Sequence, residues 1–483
     1  MIRQIELANF RAFRDSQTAD LAPLTLIYGP NSSGKSTLVR SLLLLQQSVL
    51  FGNSPLPMMK GPLVDLGSRR VVVHGHQGTA SIKVALTDAE NSLFKDFKIE
   101  FELDVNGPEN EKVVINLRKD NLNLRLAFDR YGPNFEYLTI AKESISQFYS
   151  LESSLTKDGS IPLFFDEPKR LPIFSIDALM PFTIIGQHEN GFKVQKFELN
   201  NLTQAEKFWF EVSSQLIQSF RKNLENISYL GPLRKPWERI EGINQGPLTQ
   251  GVGVNAQNAL TLLANSPEIL NRVNDDLTNE LETNYRLKIE QLSQTLPENS
   301  VSEVIPPSAI PILEHRTSGV RISPVDAGFG LSQLLPIVIE LNVRRHTLIC
   351  VEQPELHLHP RLQARVGQLL RNEVMGNRGN RFFIETHSEH LLLRIQRLVR
   401  EGLLPPEQVC ILYVDNQEFD PSVNEFVTTS ESTIQKIQLD ESGNLTDPWP
   451  GGFFEERLTE LPGWGNNAQP IKNLSDVAES DLF

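Results

Sequence analysis

Cysteine is nearly absent: the 483 residues hold two, Cys350 and Cys410. Each sits in a short apolar run that reads as a strand, a spacing that suits neither a zinc site nor a disulfide framework and that matches cytosolic usage. Long apolar runs are missing as well. The longest, around Leu42 to Leu45, falls far short of the roughly 18 residues that a membrane-spanning helix requires. The start, Met1-Ile2-Arg3-Gln4-Ile5-Glu6-Leu7, alternates like a strand and shows no apolar signal core. Neither secretion nor a membrane partner is therefore expected, and the location expected is cytoplasmic. An excess of positive charge is lacking too. The 46 Lys+Arg face 60 Asp+Glu, a net charge of -14, which excludes a basic nucleic-acid coat and leaves only local patches for DNA or RNA. No sequence repeat and no low-complexity segment is found. What remains is an ordinary globular composition, 40% hydrophobic and 22% charged, in which most of the chain should fold.

The pattern along the chain changes several times. Residues 1–80 read as two strands, a glycine-rich loop and a helix, with Leu24-Thr25-Leu26-Ile27-Tyr28 as a buried strand and Ser36 to about Leu50 as the helix. Residues 81–225 change character. Ser81–Leu86, Phe97–Leu103, Lys112–Leu117 and Leu122–Leu126 are short, mostly alternating runs separated by Asn, Gly, Asp and Pro, the pattern of antiparallel hairpins. Apolar residues then recur at helical spacing from Thr203 to Ile227. Residues 226–320 read as a helical subdomain and linker: a helical tract from Ala256 to about Leu296, broken at Ser266-Pro267, then a Pro-rich joint at Pro297, Pro306, Pro307 and Pro311. A second α/β stretch occupies residues 321–465. It holds a helix Leu334 to Leu341, a strand ending at Glu352, a helix after Pro360, a strand Arg381 to Glu385, a helix His390 to Arg400 and a strand Val409 to Val414. Residues 466–483 are polar and acidic and read as a loose tail.

Gly29-Pro30-Asn31-Ser32-Ser33-Gly34-Lys35-Ser36 fits G-x-x-x-x-G-K-[ST] between a strand and a helix, the context that this phosphate-binding motif needs. Gly29 and Gly34 let successive amides converge on phosphate oxygens, the helix N-terminus adds its positive end, Lys35 adds a point charge and Ser36 can ligate Mg²⁺. Thr37 is placed by the α-phosphate. Thr347–Glu352 is an apolar strand ending in a carboxylate, which brings Glu352 to the edge of a parallel sheet beside a nucleotide and its Mg²⁺. His357 and His359 follow. Their i,i+2 spacing before Pro360 suits a turn better than a metal pair, and no third ligand is evident. Asp326-Ala327-Gly328-Phe329-Gly330-Leu331-Ser332-Gln333 puts two glycines and a serine before an apolar helix, so Ser332 is either an N-cap or an anion contact. His387 follows the strand Arg381–Glu385, where it either senses a γ-phosphate or is structural. Two basic stretches, Arg394/Arg397/Arg400 and Arg234-Lys235-Pro236-Trp237-Glu238-Arg239, leave nucleic acid as a candidate partner against the alternative of solvated, locally paired faces.

These residues together resemble the ABC-class P-loop ATPases of the SMC, RecF and overcoming-lysogenization (OLD-like) type, AAA-family ATPases of defence and repair loci. Asn9-Phe10-Arg11-Ala12-Phe13-Arg14 resembles the N-terminal strand pair, Gly29 to Ser36 the Walker A, and Gly328 to Gln333 the signature turn. Leu348 to Pro360 resembles the Walker B with its E-x-P-E-x-H-L-H-P continuation, and Thr386-His387-Ser388 the switch-histidine segment. Tyr229–Arg234 and Trp449–Phe454 resemble a subgroup with a C-terminal extension. The resemblance implies an α/β fold: an ABC-type head with a parallel core sheet, an inserted antiparallel β layer and a helical subdomain. It implies ATP and Mg²⁺ as ligands, contacts from Asn31, Ser32 and Ser33 alongside Lys35, and a homodimer in which Ser332 of one chain caps the ATP of the other. It also implies a protein effector partner, such as a nuclease. One position departs from the pattern. Gln353 stands where the water-polarising glutamate is usual, so hydrolysis is expected to be slow unless Glu355 substitutes, and a non-hydrolysing scaffold is the alternative.

Overall fold

The computed structural model describes residues 1–51, 57–87, 96–106, 112–119, 122–130, 136–140, 170–173, 184–188, 191–195, 218–243, 251–292, 307–420 and 425–449, with backbone alone for the strands between 112 and 195 and for 417–420 and 425–427. In chain order the strands are β1 (Ile2–Ala8), β2 (Gln17–Asp20), β3 (Leu24–Tyr28), β4 (Thr79–Thr87), β5 (Asp96–Asp104), β6 (Lys112–Lys119), β7 (Leu122–Arg130), β8 (Glu136–Ile140), β9 (Arg170–Ile173), β10 (Ile184–His188) and β11 (Gly191–Gln195). They continue with β12 (Ile227–Leu230), β13 (Glu241–Gly242), β14 (Tyr285–Leu292), β15 (Ser308–His315), β16 (Arg321–Ile322), β17 (Leu348–Glu352), β18 (Arg381–Glu385), β19 (Val409–Asp420) and β20 (Glu425–Ile437). The main helices are α1 (Lys35–Phe51), α2 (Ala259–Asn265), α3 (Pro267–Asp275), α4 (Phe329–Val343), α5 (Pro360–Met375) and α6 (Glu389–Arg400).

Two units share the chain. One comprises Met1–Leu21, Ser32–Asn226 and Val414–Ile434, and the other Ala22–Asn31, Ile227–Tyr413 and the residues from Gln435 onward. In the first unit an antiparallel sheet runs in the order β2-β1-β4-β5-β6-β7-β8-β9. The alternation that predicted hairpins is visible in the burial of β4 and β5, whose inward residues Ile82, Val84, Ile99 and Phe101 are enclosed while their neighbours face out. The inserted strands form an antiparallel layer, as expected, and it is continuous with the N-terminal strand. β4 begins at Thr79 and pairs with β1 from Ile2↔Leu86 to Ala8↔Ser81, so the insertion prolongs the sheet that the N-terminal strand opens.

The second unit is built on a largely parallel sheet of order β12-β17-β18-β3-β19-β20. β3 and β17 are buried at every position and β18 at all but its first, the signature of strands covered on both faces. α4 is enclosed from Ser332 to Asn342. Glu340, fully buried in that helix, accepts from Ser228 Oγ, from Val252 N at 2.7 Å and from Arg344 Nε at 2.6 Å, so its charge is compensated on every side.

Two expectations fail in this unit, and a third, a helix, ends slightly early at its border. The helical tract expected to reach Leu296 ends earlier: after α3 and a π-helical turn at Asp276–Glu280, residues Tyr285–Leu292 form β14. Tyr285, Leu287 and Ile289 alternate with polar neighbours, and eight paired residues on β15 reward that period of two over the helical one. The Pro-rich joint is likewise a strand beyond Pro306. Pro311 lies within β15 opposite Ile289, and on the other edge of β15 the pairings with β13 and β16 skip it, so a residue without an amide hydrogen is tolerated there. The helix expected up to Ile227 is seen at 218–225, and Ile227 already opens β12. Residues 203–217, Pro297, Pro306 and the tail from Asn466 to Phe483 lie outside the described residues.

Asp276 gives this unit a pH dependence. Burial pushes its carboxyl up to about 6, against the opposing pull of the Asn342 amide that donates to it and of the Arg378 charge. A raised carboxyl favours the fold in full below its unfolded value near 4, and that contribution is lost as pH rises through about 6. Asp276→Asn should therefore stabilise the protein by about 1–2 kcal/mol at pH 7.5, with the gain shrinking toward zero near pH 4. Urea denaturation across that range checks it, and a gain that does not change with pH would remove Asp276 as the cause.

Candidate functional site

The loop after β3 has the strained backbone that its sequence demands. Gly29, Ser32 and Gly34 take positive φ values of 143°, 64° and 98°. At Gly34 a Cβ would stand 2.9 Å from the Ala12 Cβ of the Asn9–Arg14 turn, so only glycine fits. Ser33 is fully buried and its hydroxyl has no hydrogen-bond partner. Lys35 opens α1 at 4% exposure, and no acid stands in the first turn of that helix. Asn31 and Ser32 are exposed, Ser36 is half-buried and Thr37, whose amide donates to the Gly34 carbonyl at 2.9 Å, is buried. A buried lysine, an unpartnered buried hydroxyl and a helix N-terminus without an acid suit an anion, and phosphate is the anion that such a loop cradles.

In the second unit the parallel strands share one C-terminal edge. The registers Leu230↔Val351, Glu352↔Glu385 and Glu385↔Ile27 place Gly231, Glu352, Thr386 and the first loop residues Gly29–Asn31 along it. Glu352 is 4% exposed and accepts from Tyr229 Oη at 2.9 Å. Gln353 follows in a left-handed conformation, φ 48°, its amide donating to the Glu385 carbonyl at 2.7 Å. Glu355 accepts from Thr386 Oγ1 and from the His387 amide, both at 2.7 Å. Burial raises its carboxyl above the ordinary value even though those two donors pull the other way. With both oxygens engaged, Glu355 fastens the acid turn to the segment after β18. Among the described residues no group of three His, Cys, Asp or Glu could hold a metal by itself, and the Glu352 carboxylate is a hard oxygen donor of the kind Mg²⁺ takes.

The two histidines of the acid turn have other work. His357 packs edge-on against Phe329, ring centroids 4.6 Å apart, and His359 caps α5 by accepting from the Arg361 amide. Tyr28, the last residue of β3, donates to the Ser388 carbonyl at 3.0 Å, while the Ser388 hydroxyl caps α6.

Ser332 is not an N-cap. α4 starts at Phe329, five residues ahead of the expected start, with Gly328 at φ 83° as its cap. Gly330 has to be glycine because a Cβ would meet the His357 carbonyl at 2.5 Å. Ser332 Oγ donates back to the Phe329 carbonyl at 2.8 Å. Its own carbonyl would accept from residue 336 in a regular helix, but Pro336 has no amide hydrogen. Trp237 Nε1 fills the gap, donating to that carbonyl at 3.0 Å. Trp237 belongs to a segment that ties this turn to the acid: Arg234 Nη2 donates to the Glu352 carbonyl at 2.9 Å, the Arg234 backbone meets the Gln333 amide, and Arg239 forms a bidentate pair with Asp326.

A family model described as an AAA ATPase domain matches residues 1–392. The chain belongs to that family. A second model, described as a protein of unknown function (DUF3696), matches residues 404–462. No curated protein matches this AAA-family chain. Among solved structures it is similar to the SMC head domain from Thermotoga maritima at 9% identity and a TM-score of 0.38, covering 90% of this chain and 98% of that one. An SmcHead bound to the C-winged helix domain of ScpA matches at 11% identity and a TM-score of 0.42, covering 91% of this chain and 98% of that one. The Smc head of Pyrococcus furiosus with an extended coiled coil, bound to the C-terminal domain of ScpA, matches at 9% identity and 0.39, covering 90% and 96%.

The basic stretch at 234–239 of this AAA ATPase is largely engaged within the fold. Arg234 and Trp237 are buried, at 3% and 7% exposure, Lys235 pairs with Glu238 and Glu241, and Arg239 with Asp326. Burial brings the Arg234 guanidinium down to about 10, opposed by Glu355, Tyr229 and Glu352. On α6, Arg397 pairs with Glu401 and Arg400 donates to the Ser442 carbonyl. Sequence reasoning missed Arg234 and Trp237 as parts of the site. The signal was present in Pro336, whose missing amide leaves an acceptor to be satisfied. No helix among the described residues is long and apolar enough to cross a membrane.

Proposed function

We propose that this AAA ATPase is a nucleotide-driven switch: ATP closes two chains head-to-tail, and slow hydrolysis or release opens them. The observation that carries the reading is the loop at 29–36, with its three positive φ values, its buried Lys35 and the unpartnered Ser33 hydroxyl. Lys35 offsets phosphate charge, the loop amides and the Ser33 hydroxyl donate to phosphate oxygens, and Thr37 stands at the α-phosphate. Ser36 and Glu352 are the oxygen ligands for Mg²⁺, which when bound neutralises charge on the phosphates. His387 senses the γ-phosphate, its place held by the amide that it donates to Glu355. Ser332 meets the ATP of the second chain. A protein effector, such as a nuclease, and a place in nucleic-acid-related or defence processes follow from the likeness of the motifs to the SMC, RecF and OLD-like type.

A second reading is favoured by one observation. Gln353 cannot accept a proton, and both oxygens of Glu355 are already engaged, which supports an ATP-bound scaffold that holds its partner without turnover. Light scattering separates the elements of the proposal. ATP should double the mass of the wild type, and Ser332→Arg should keep the protein monomeric while it still binds ATP, because the new side chain puts bulk and charge where the second nucleotide would sit. A wild type that stays monomeric with ATP, or a variant that dimerises normally, removes the head-to-tail closure.

A further inference from the structure

The described part of the region matched by the second family model ends at Trp449, against the last residue of the strand that leads into the nucleotide loop. After β20 the chain makes a turn, Leu439 bridging Leu445, that lies on the end of α6: a Cβ on Gly443 would stand 2.2 Å from the Gln396 carbonyl, and Arg400 Nε donates to the Ser442 carbonyl at 3.3 Å. The chain then delivers Trp449 to two tyrosines. Its ring meets Tyr28 edge-on at 5.4 Å between centroids and Tyr413 at 5.6 Å. Tyr28 is fully buried, directly precedes Gly29, and donates its hydroxyl to Ser388, one residue after His387. Burial, and the Glu355 charge after it, push that hydroxyl well above its ordinary range, so it remains a donor.

We propose that this carboxy-terminal region is a clasp that positions the nucleotide loop, with Trp449 as a positioning residue acting through Tyr28. The inference rests on the reading of residues 29–36 as an ATP-binding loop. The physical reason is preorganisation. Gly29, Ser32 and Gly34 hold conformations that a free loop would leave, and a fixed strand end removes the ordering that phosphate binding would otherwise have to supply. Two edge-to-face contacts set the scale. Loss of the Trp449 ring should weaken ATP binding about 3- to 10-fold, the factor that corresponds to contacts of that kind. Because Trp449 touches Tyr28 rather than the phosphates, saturating ATP should restore the wild-type state.

The test uses the full chain, a fluorescent ATP analogue followed by anisotropy, and phosphate release over a range of ATP. Trp449→Ala should raise the dissociation constant and KM about 3- to 10-fold with kcat within about twofold, and Trp449→Phe should recover most of the affinity because it keeps an aromatic edge. Tyr28→Phe, which removes only the bond to Ser388, should give a smaller loss in the same direction. Circular dichroism at the assay temperature establishes that each variant is folded. If Trp449→Ala fails to fold, Trp449→Phe and Trp449→Leu carry the comparison, with Leu expected to bind more weakly than Phe. A wild type that binds the analogue together with a folded Trp449→Ala or Trp449→Leu of equal affinity overturns the clasp alone. A wild type that does not bind overturns the ATP-loop reading and the clasp with it.

Discussion

Lys35→Ala is expected to abolish measurable ATP binding at micromolar protein. Lys35, the first residue of α1, is 4% exposed, so its charge acts where water screens little. Removing one partner of a buried, hydrogen-bonded charge pair costs about 2–5 kcal/mol, which is a loss of roughly 30-fold to several thousandfold in affinity. Isothermal titration with ATP and Mg²⁺ checks it. The variant should keep its fold, since Lys35 opens the helix and the apolar residues behind it, Leu38, Val39, Leu42 and Leu43, carry the packing. Unchanged affinity would remove the central claim about the loop.

Gln353→Glu is expected to raise phosphate release by about 10² to 10⁴-fold, the range that a positioned general base supplies. A carboxylate accepts the proton of attacking water and an amide does not, while Glu352 is committed to Mg²⁺ in the proposed arrangement. Gln353 is held for that task by its left-handed backbone and by the bond from its amide to Glu385. Glu355 is the rival base, and its surroundings argue for another part. Each of its oxygens already accepts a bond, from Thr386 and from the His387 amide, so Glu355→Gln should leave one donor facing another and cost about 1–3 kcal/mol of stability. Turnover per folded molecule should change little. Steady-state phosphate release and urea denaturation of the two single variants and the double variant distinguish the cases. A Glu355→Gln that stays stable yet loses turnover, with Gln353→Glu unaltered, would assign the base to Glu355.

Much of the second unit was legible because a strand covered on both faces has nothing to hide. Leu24–Tyr28, Thr347–Glu352 and Arg381–Glu385 are short apolar runs bounded by turn residues; the first and last are β3 and β18 residue for residue, and β17 starts one residue later, at Leu348. The glycine loop was legible for a related reason. Only glycine fits against Ala12 at position 34, so the motif carries its backbone in its letters. The runs Ser81–Leu86 and Phe97–Leu103 showed the period of two that the half-buried strands β4 and β5 impose.

What the chain kept back is what depends on partners distant in sequence. Tyr285–Leu292 reads as part of a helical tract until β15 stands beside it, because a ladder belongs to the pair and not to either strand. Ser332 reads as a cap or an anion contact at the start of a helix, since nothing local announces that the helix starts at Phe329. Arg234 and Trp237 read as a basic surface patch, and burial against α4 and β17 turns them into ties between the acid and the glycine-serine turn. Pro336 marks the boundary between the two kinds of knowledge. The sequence by itself determined that a proline inside this helix leaves the Ser332 carbonyl without its amide donor, a matter of covalent chemistry. Only the tertiary structure decided that the indole of Trp237 supplies the bond, because a buried acceptor must be satisfied and the choice of donor is made by whatever the fold brings within 3.0 Å.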